Sequence, residues 1–341
     1  MTMEQVPNME SGAEFLSAWD ANVKALEGLY DPADERDSCG VGLVAALDGQ
    51  RRREVVEAGI AALKAIWHRG AVDADGKTGD GAGIHVEIPQ AFFADAIRRT
   101  GNSPDKGPIA VGQVFLPKTD LSAQEQCRQI IETEILAFGY GIYGWRQVPI
   151  DTACIGEKAN ATRPEIEQIL IRNLPCRDEA EFERDLYVIR RRIEKAAIAA
   201  QVDLYICSLS CRSVIYKGMF LAEHLTEFYP DLLDERFVSR FAIYHQRYST
   251  NTFPTWKLAQ PFRRLAHNGE INTISGNVNW MKSHETRLSH PDLDPWMNDI
   301  KPLVQVGGSD TATLDNVFEL LTFAGRDAPA AKALMIPASV G

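Results

Sequence analysis

The sequence predicts a domain of mixed α and β elements that begins at Cys39, and three observations lead to it. Apolar runs of strand length alternate with stretches of helical period after residue 40. No repeat recurs at about 20 to 50 residues and no low-complexity linker intervenes. The polar, turn-prone stretch Leu29-Tyr30-Asp31-Pro32-Ala33-Asp34-Glu35-Arg36-Asp37-Ser38 gives way abruptly to Cys39-Gly40-Val41-Gly42-Leu43-Val44-Ala45-Ala46-Leu47, which reads as a buried strand.

Taken in order, strands are expected at Val41 to Leu47, Ile84 to Ile88, Ile109 to Leu116, Asp203 to Ser208 and Arg236 to Ser249. The stretch from Glu54 to Trp67 brings Val55, Val56, Ala62, Leu63, Ile66 and Trp67 near helical period, and Ser122 to Phe138 and Glu179 to Ala200 do likewise. Lys77-Thr78-Gly79-Asp80-Gly81-Ala82-Gly83 lacks the context of a dinucleotide or phosphate loop and reads as a tight turn in which glycine admits close backbone approach. Residues 141–178 mix Trp, Pro and charge without sustained period and read as a surface insertion. Phe262 to Ala266 is strand-like, and Thr311 to Phe323 is helical.

The chain has 341 residues, 45% of them hydrophobic and 24% charged, and a formal net charge of −11. Residues 1–38 hold nine acids against Lys24 and Arg36, so most of the negative charge lies before Cys39. An acidic leader is the opposite of a secretory or transit peptide. A propeptide, residues 1–38, removed by cleavage before Cys39, is one reading, and a solvated tail is the other. No apolar run approaches the roughly 20 residues of a membrane span, and no basic cluster points to nucleic acid. A cytoplasmic protein is expected. Cysteines at 39, 127, 154, 176, 207 and 211 form no CxxC pair and no zinc-like spacing, so reduced thiols and no metal site are expected.

Cys39 itself has two readings. A buried free cysteine is one. If cleavage frees its α-amine, the residue holds both a thiol and an amine of pKa roughly 7.7 to 8.0 that can take up the thiol proton, the logic of an N-terminal-nucleophile hydrolase. Attack on the side-chain amide of an amino acid also needs oxyanion donors and groups that grip a zwitterion. Asn268 with the backbone N–H of Gly269 makes a plausible pair of donors, although Asn-Gly alone is a hairpin signal. Arg247 can bind an α-carboxylate through two parallel hydrogen bonds. Asp310 can accept from an α-ammonium or cap the helix that follows it.

Together these segments resemble a known family. Asp31-Pro32 through Cys39-Gly40-Val41-Gly42, then Trp67-His68-Arg69-Gly70, Thr78 to Gly83, and His245-Gln246-Arg247-Tyr248-Ser249-Thr250-Asn251-Thr252-Phe253-Pro254 are similar to the amidotransferase domain of the bacterial glutamate synthase large subunit. Ala266-His267-Asn268-Gly269-Glu270-Ile271-Asn272-Thr273, Gly276-Asn277-Val278-Asn279-Trp280 and Gly307-Gly308-Ser309-Asp310 extend the resemblance over essentially the whole chain.

The resemblance implies an α+β fold, a four-layer αββα sandwich of the N-terminal-nucleophile hydrolase type, over residues 39–341. It implies autocatalytic loss of the leader and hydrolysis of L-glutamine to L-glutamate and ammonia. The catalytic positions would be Cys39, Asn268 and Gly269, and the substrate would be bound by Arg247 and Asp310. Arg69 would line the site, unless it is simply a cation at a helix C-terminus. The family continues into synthase domains that hold FMN and an iron–sulfur cluster and use the ammonia to convert 2-oxoglutarate to glutamate, whereas this sequence stops at Gly341. A fragment or a truncated reading frame, with no cofactor of its own, is therefore expected. Three functions fit: the glutaminase half of such a synthase, a stand-alone amidotransferase subunit feeding a separate synthase chain, or an inactive remnant.

Overall fold

The computed structural model describes residues 39–247 and 253–336, together with Ser17 and Ala21. The chain divides into two compact units, Met1–Ser38 and Cys39–Gly341. In the first, Ser17 and Ala21 are helical and exposed. The rest of the expected propeptide lies outside the described residues, as do residues 248–252 and 337–341.

The described residues of the second unit carry β1 (Val41–Ala45), β2 (Ala82–Glu87), β3 (Ile109–Leu116), β4 (Gly141–Gln147), β5 (Glu165–Arg172), β6 (Tyr205–Ser210), β7 (Ser213–Gly218) and β8 (Phe241–Gln246). They pair antiparallel in two sheets of order β1-β8-β2-β7 and β4-β5-β3-β6. The longer helices are α1 (Arg53–Ala65), α2 (Gln90–Arg99), α3 (Leu121–Ala137), α4 (Glu179–Ala200), α5 (Ile274–Glu285), α6 (Asp310–Phe323) and α7 (Ala328–Met335). Antiparallel sheets with helices packed on both are the expected α+β class.

Packing follows from side-chain period. Helix α1 buries Val55, Val56, Ile60 and Leu63 and lies over β1 and β8. Ile84, Val86 and Ala242 of the first sheet join Val111, Phe115, Ile166 and Leu170 of the second in one continuous core. The alternate residues of the second sheet, Ala110, Val114, Ile169 and Ile171, meet Ile131 and Ile135 of α3 and Phe182, Leu186, Ile189 and Ile193 of α4. Helix α4 starts where Asp178 accepts from Glu181 N at 2.8 Å and the Glu181 carboxylate accepts from Asp178 N at 3.1 Å, a reciprocal capping box. Leu186 is fully buried. Leu186→Ala is expected to cost about 2 to 5 kcal/mol, read as a lowered urea midpoint with unchanged slope.

Several sequence expectations are corrected. Residues 141–178 are not an insertion: they contain β4 and β5, and β5 lies between β4 and β3 in the second sheet. The register slips between Ile142 and Gly144, a bulge with Gly144 at φ +145°, which breaks the alternation in β4. In β5 the buried Glu167 is held by Arg128 at 2.6 and 2.9 Å, and the buried Gln168 donates to Gln113 Oε1 at 2.7 Å. Polar residues that are buried and paired do not read as a strand.

The helix expected to reach Trp67 ends at Ala65, and Trp67–Arg69 forms a separate 3₁₀ turn. The strand expected from Arg236 begins at Phe241, because Asp234 accepts Arg236 N at 2.9 Å and Glu87 accepts Arg240 N at 2.6 Å, holding the chain out of the ladder. The expected end of that strand at Ser249 lies outside the described residues. Phe262 to Ala266 is not a strand. Its Arg264 and Leu265 N–H groups both donate to Asp315 Oδ1, at 2.8 and 3.1 Å, so a buried carboxylate on α6 takes the place of a neighbouring strand.

Among the described residues no helix is long and apolar enough to cross a membrane. No group of three or more His, Cys, Asp or Glu side chains among them is placed to hold a metal ion.

Candidate active site

One end of the first sheet gathers most of the residues singled out in the sequence. Strands β1 and β8 pair with Val41 opposite His245. One step further, Gln246 N donates to Gly40 O at 2.6 Å, so the register carries Cys39 opposite Arg247. On the other side of β8, Ala82 pairs with Gln246, and Arg247 N donates to Gly81 O at 2.8 Å. The start of β1, the end of β8 and the glycine turn before β2 therefore meet at one edge. Cys39 is exposed there, which excludes the ordinary buried cysteine. Cys127, Cys207 and Cys211 are buried, and burial pushes the Cys127 thiol up to about 11 and the Cys207 thiol up to about 12, both poor sources of thiolate.

The Asn268 amide reaches this edge from the loop after β8. A side-chain carbon on Gly40 would lie 2.3 Å from the Gln246 backbone O and 2.7 Å from Asn268 Nδ2, so the β8 backbone leaves room only for glycine after Cys39, and the Asn268 amide lies against the same spot. Asn268 and Gly269 are exposed, and no strand flanks them among residues 253–273. The hairpin reading of Asn-Gly therefore loses its support.

Arg247 is 6% exposed. Burial lowers its pKa, and the nearby Asp80 and Asp310 carboxylates act in the opposite direction. Asp310 opens α6 but does not cap it: Ser309 does, its hydroxyl accepting from Ala312 N at 3.2 Å. Asp310 instead accepts from Ile271 N at 2.9 Å and from Thr311 N at 2.7 Å. A carboxylate has about four acceptor positions, so it can still receive an ammonium. Arg69 ends the 3₁₀ turn with an exposed side chain. Gly70 behind it presses on the Gln246 amide, which places the turn, though no contact of the guanidinium itself, beside the site.

Sequence reasoning left three neighbours without a role. Asp80 sits between Gly79 and Gly81 (φ +134°) in the turn that receives Arg247, and an acid between two glycines at a close approach was the available signal. Gln260 donates to His267 O at 3.0 Å and accepts from His267 N at 3.0 Å. His245, 1% exposed, faces the same carbonyl at 3.2 Å. Nothing local in the sequence marks the last two, since both act through contacts across the fold.

Comparison with known proteins finds relatives over most of the chain. The large chain of the NADPH glutamate synthase of Azospirillum brasilense is 64% identical over 332 residues, 96% of this chain and 22% of that protein. Its counterpart in Bacillus subtilis (strain 168) is 42% identical over 315 residues, 91% of this chain and 20% of that one. The chloroplastic ferredoxin-dependent glutamate synthase of Spinacia oleracea is 43% identical over 312 residues, 91% of this chain and 19% of that one. The chain thus spans about a fifth of the length of these relatives. Residues 39–340 match the family of class-II glutamine amidotransferases, and the match begins at the exposed cysteine that the sheet register sets opposite Arg247. The chain belongs to the class-II glutamine amidotransferases.

Proposed function

We propose that this chain is the glutaminase part of a glutamate synthase, hydrolysing L-glutamine with Cys39 as its N-terminal nucleophile once residues 1–38 are removed. The observation that carries the reading is the β1–β8 register, which sets Cys39 opposite Arg247 while the Asn268 amide rests on Gly40. The freed α-amine takes the thiol proton, and the thiolate attacks the side-chain carbonyl carbon of glutamine. Asn268 Nδ2–H and Gly269 N–H receive the oxyanion. The α-ammonium returns the proton to the departing nitrogen, which leaves as ammonia, and water then hydrolyses the thioester to glutamate. Arg247 binds the substrate α-carboxylate, Asp310 its α-ammonium, and Asp80 orients Arg247. Arg69 lines the approach. The ammonia passes to a synthase portion of the kind the relatives' names describe, and the leading partners are L-glutamine and that portion.

Two measurements test the reading: ammonia release from glutamine, and the N-terminus of the active protein by intact mass and sequencing. An active preparation that still begins at Met1 would sink the mechanism, because the α-amine would not be available. Recognition has its own test. Arg247→Lys should lower kcat/KM for glutamine by roughly 10- to 150-fold, the equivalent of about 1.5 to 3 kcal/mol, because a point-charge ammonium cannot reproduce the bidentate fork. An unchanged kcat/KM would remove Arg247 from the substrate.

A further inference from the structure

An oxyanion hole made of a side-chain amide and the next backbone N–H works only if the loop carrying both is held still, and Asn268 and Gly269 lie in neither helix nor strand. Helix α6 reaches this loop from both sides. After the pair, Asp310 Oδ2 accepts from Ile271 N at 2.9 Å. Before it, His267 Nδ1 lies 3.3 Å from Oγ1 of the buried Thr311. The protons follow from the partners: the Thr311 hydroxyl also lies 3.4 Å from Asp310 Oδ1, and a carboxylate only accepts, so Thr311 Oγ1–H donates there while Oγ1 accepts from His267 Nδ1–H. The ring so held meets the oxyanion pair directly. A side-chain carbon on Gly269 would lie 2.6 Å from His267 Nε2 and 2.9 Å from its Cε1, so the imidazole lies against the Gly269 backbone.

We propose that Asp310 and Thr311, the first two residues of α6, are positioning residues for the Asn268–Gly269 loop, so that Asp310 serves the chemical step as well as substrate recognition. The proposal rests on the oxyanion role of that pair. The helix is a firm base, because Ser309 caps it through Ala312 N at 3.2 Å and its first turns bury Thr311, Thr313 and Asp315. Asp310 Oδ1 accepts from Thr311 N at 2.7 Å, which turns Oδ2 to the loop. The α-ammonium of glutamine and the Ile271 N–H then meet one carboxylate, and the two interactions have different kinetic signatures. Ammonium binding is made equally in the ground and transition states and is read in KM; the tether acts through the oxyanion donors and is read in kcat.

The test separates the two roles by the chemistry of the substrate. Glutaramate is glutamine without its α-amino group, so it offers Asp310 no ammonium. In the full chain, Asp310→Ala should lower kcat for glutaramate by about 10- to 100-fold, because the donors are misplaced, whereas a residue serving recognition alone would leave that kcat within about twofold of the parent. Asp310→Asn keeps an oxygen for Ile271 N and loses the charge; it should raise KM for glutamine about 10-fold or more while holding kcat for both substrates within about fivefold. Thr311→Val removes the hydroxyl at nearly constant shape and should lower kcat for glutamine about 10-fold with KM changed less than about threefold, and Thr311→Ser should restore kcat to within about twofold. Where glutaramate turns over too slowly to read, or Asp310→Ala does not fold, kcat at saturating glutamine in Asp310→Asn and the Thr311 pair decides. Unchanged kcat in Asp310→Ala with glutaramate, or in a folded Thr311→Val, overturns the positioning role of that residue and leaves ammonium recognition standing. A loss of kcat in Asp310→Asn as deep as in Asp310→Ala assigns the effect to charge and overturns the tether too. If Asn268→Ala leaves kcat intact, the oxyanion reading falls and the proposal with it.

Discussion

Cys39→Ala is expected to abolish ammonia release from glutamine, a loss on the order of 10⁴-fold or more in kcat, since it removes the only group that can form the thioester. The same variant should retain residues 1–38, because the proposed self-cleavage uses the same thiol, and intact mass would show a chain beginning at Met1. Stability should move little. Cys39 is exposed and precedes the first ladder residue, Val41, so the change creates no cavity and exposed substitutions of this kind stay within about 0.5 kcal/mol. An ordinary cysteine at the head of a strand predicts the reverse pattern, with normal turnover and normal processing. Ammonia release at the parental rate by a folded Cys39→Ala protein would therefore end the nucleophile assignment, whatever the state of the leader.

Much of the fold was legible because period and burial agree. The strand Ile109–Leu116 and the helix Glu179–Ala200 lie where the sequence places them, the first buried throughout and the second marked by its capping box. The errors have physical causes. A bulge in β4 and buried, paired polar residues in β5 hide a central strand. Conversely, Phe262 to Ala266 has apolar residues enough for a strand but no neighbouring strand, and Asp315 accepts from its Arg264 and Leu265 N–H groups instead. The site divides in the same way. Cys39, Arg247, Asn268 and Asp310 carry functional groups that announce themselves by type and by their place in long motifs. Asp80, His245 and Gln260 are ordinary residues in sequence, and only the approach of three chain segments at one sheet edge shows what they touch.

The Asn268 substitutions bear most directly on the chemistry. Asn268→Asp should lower kcat by roughly 10²- to 10³-fold with little change in KM, because one oxyanion donor is lost and a carboxylate faces the developing negative charge. Asn268→Ala should lose a similar or smaller amount, since it removes the donor without adding repulsion. A turn residue behaves otherwise: Asp tolerates the same dihedrals and would keep kcat nearly intact, while Ala would act on stability. Because Asn268 is exposed and no strand flanks it, both variants should melt close to the parent, and a loss of kcat cannot be put down to unfolding. A folded Asn268→Asp protein with near-normal kcat would remove Asn268 from the oxyanion hole.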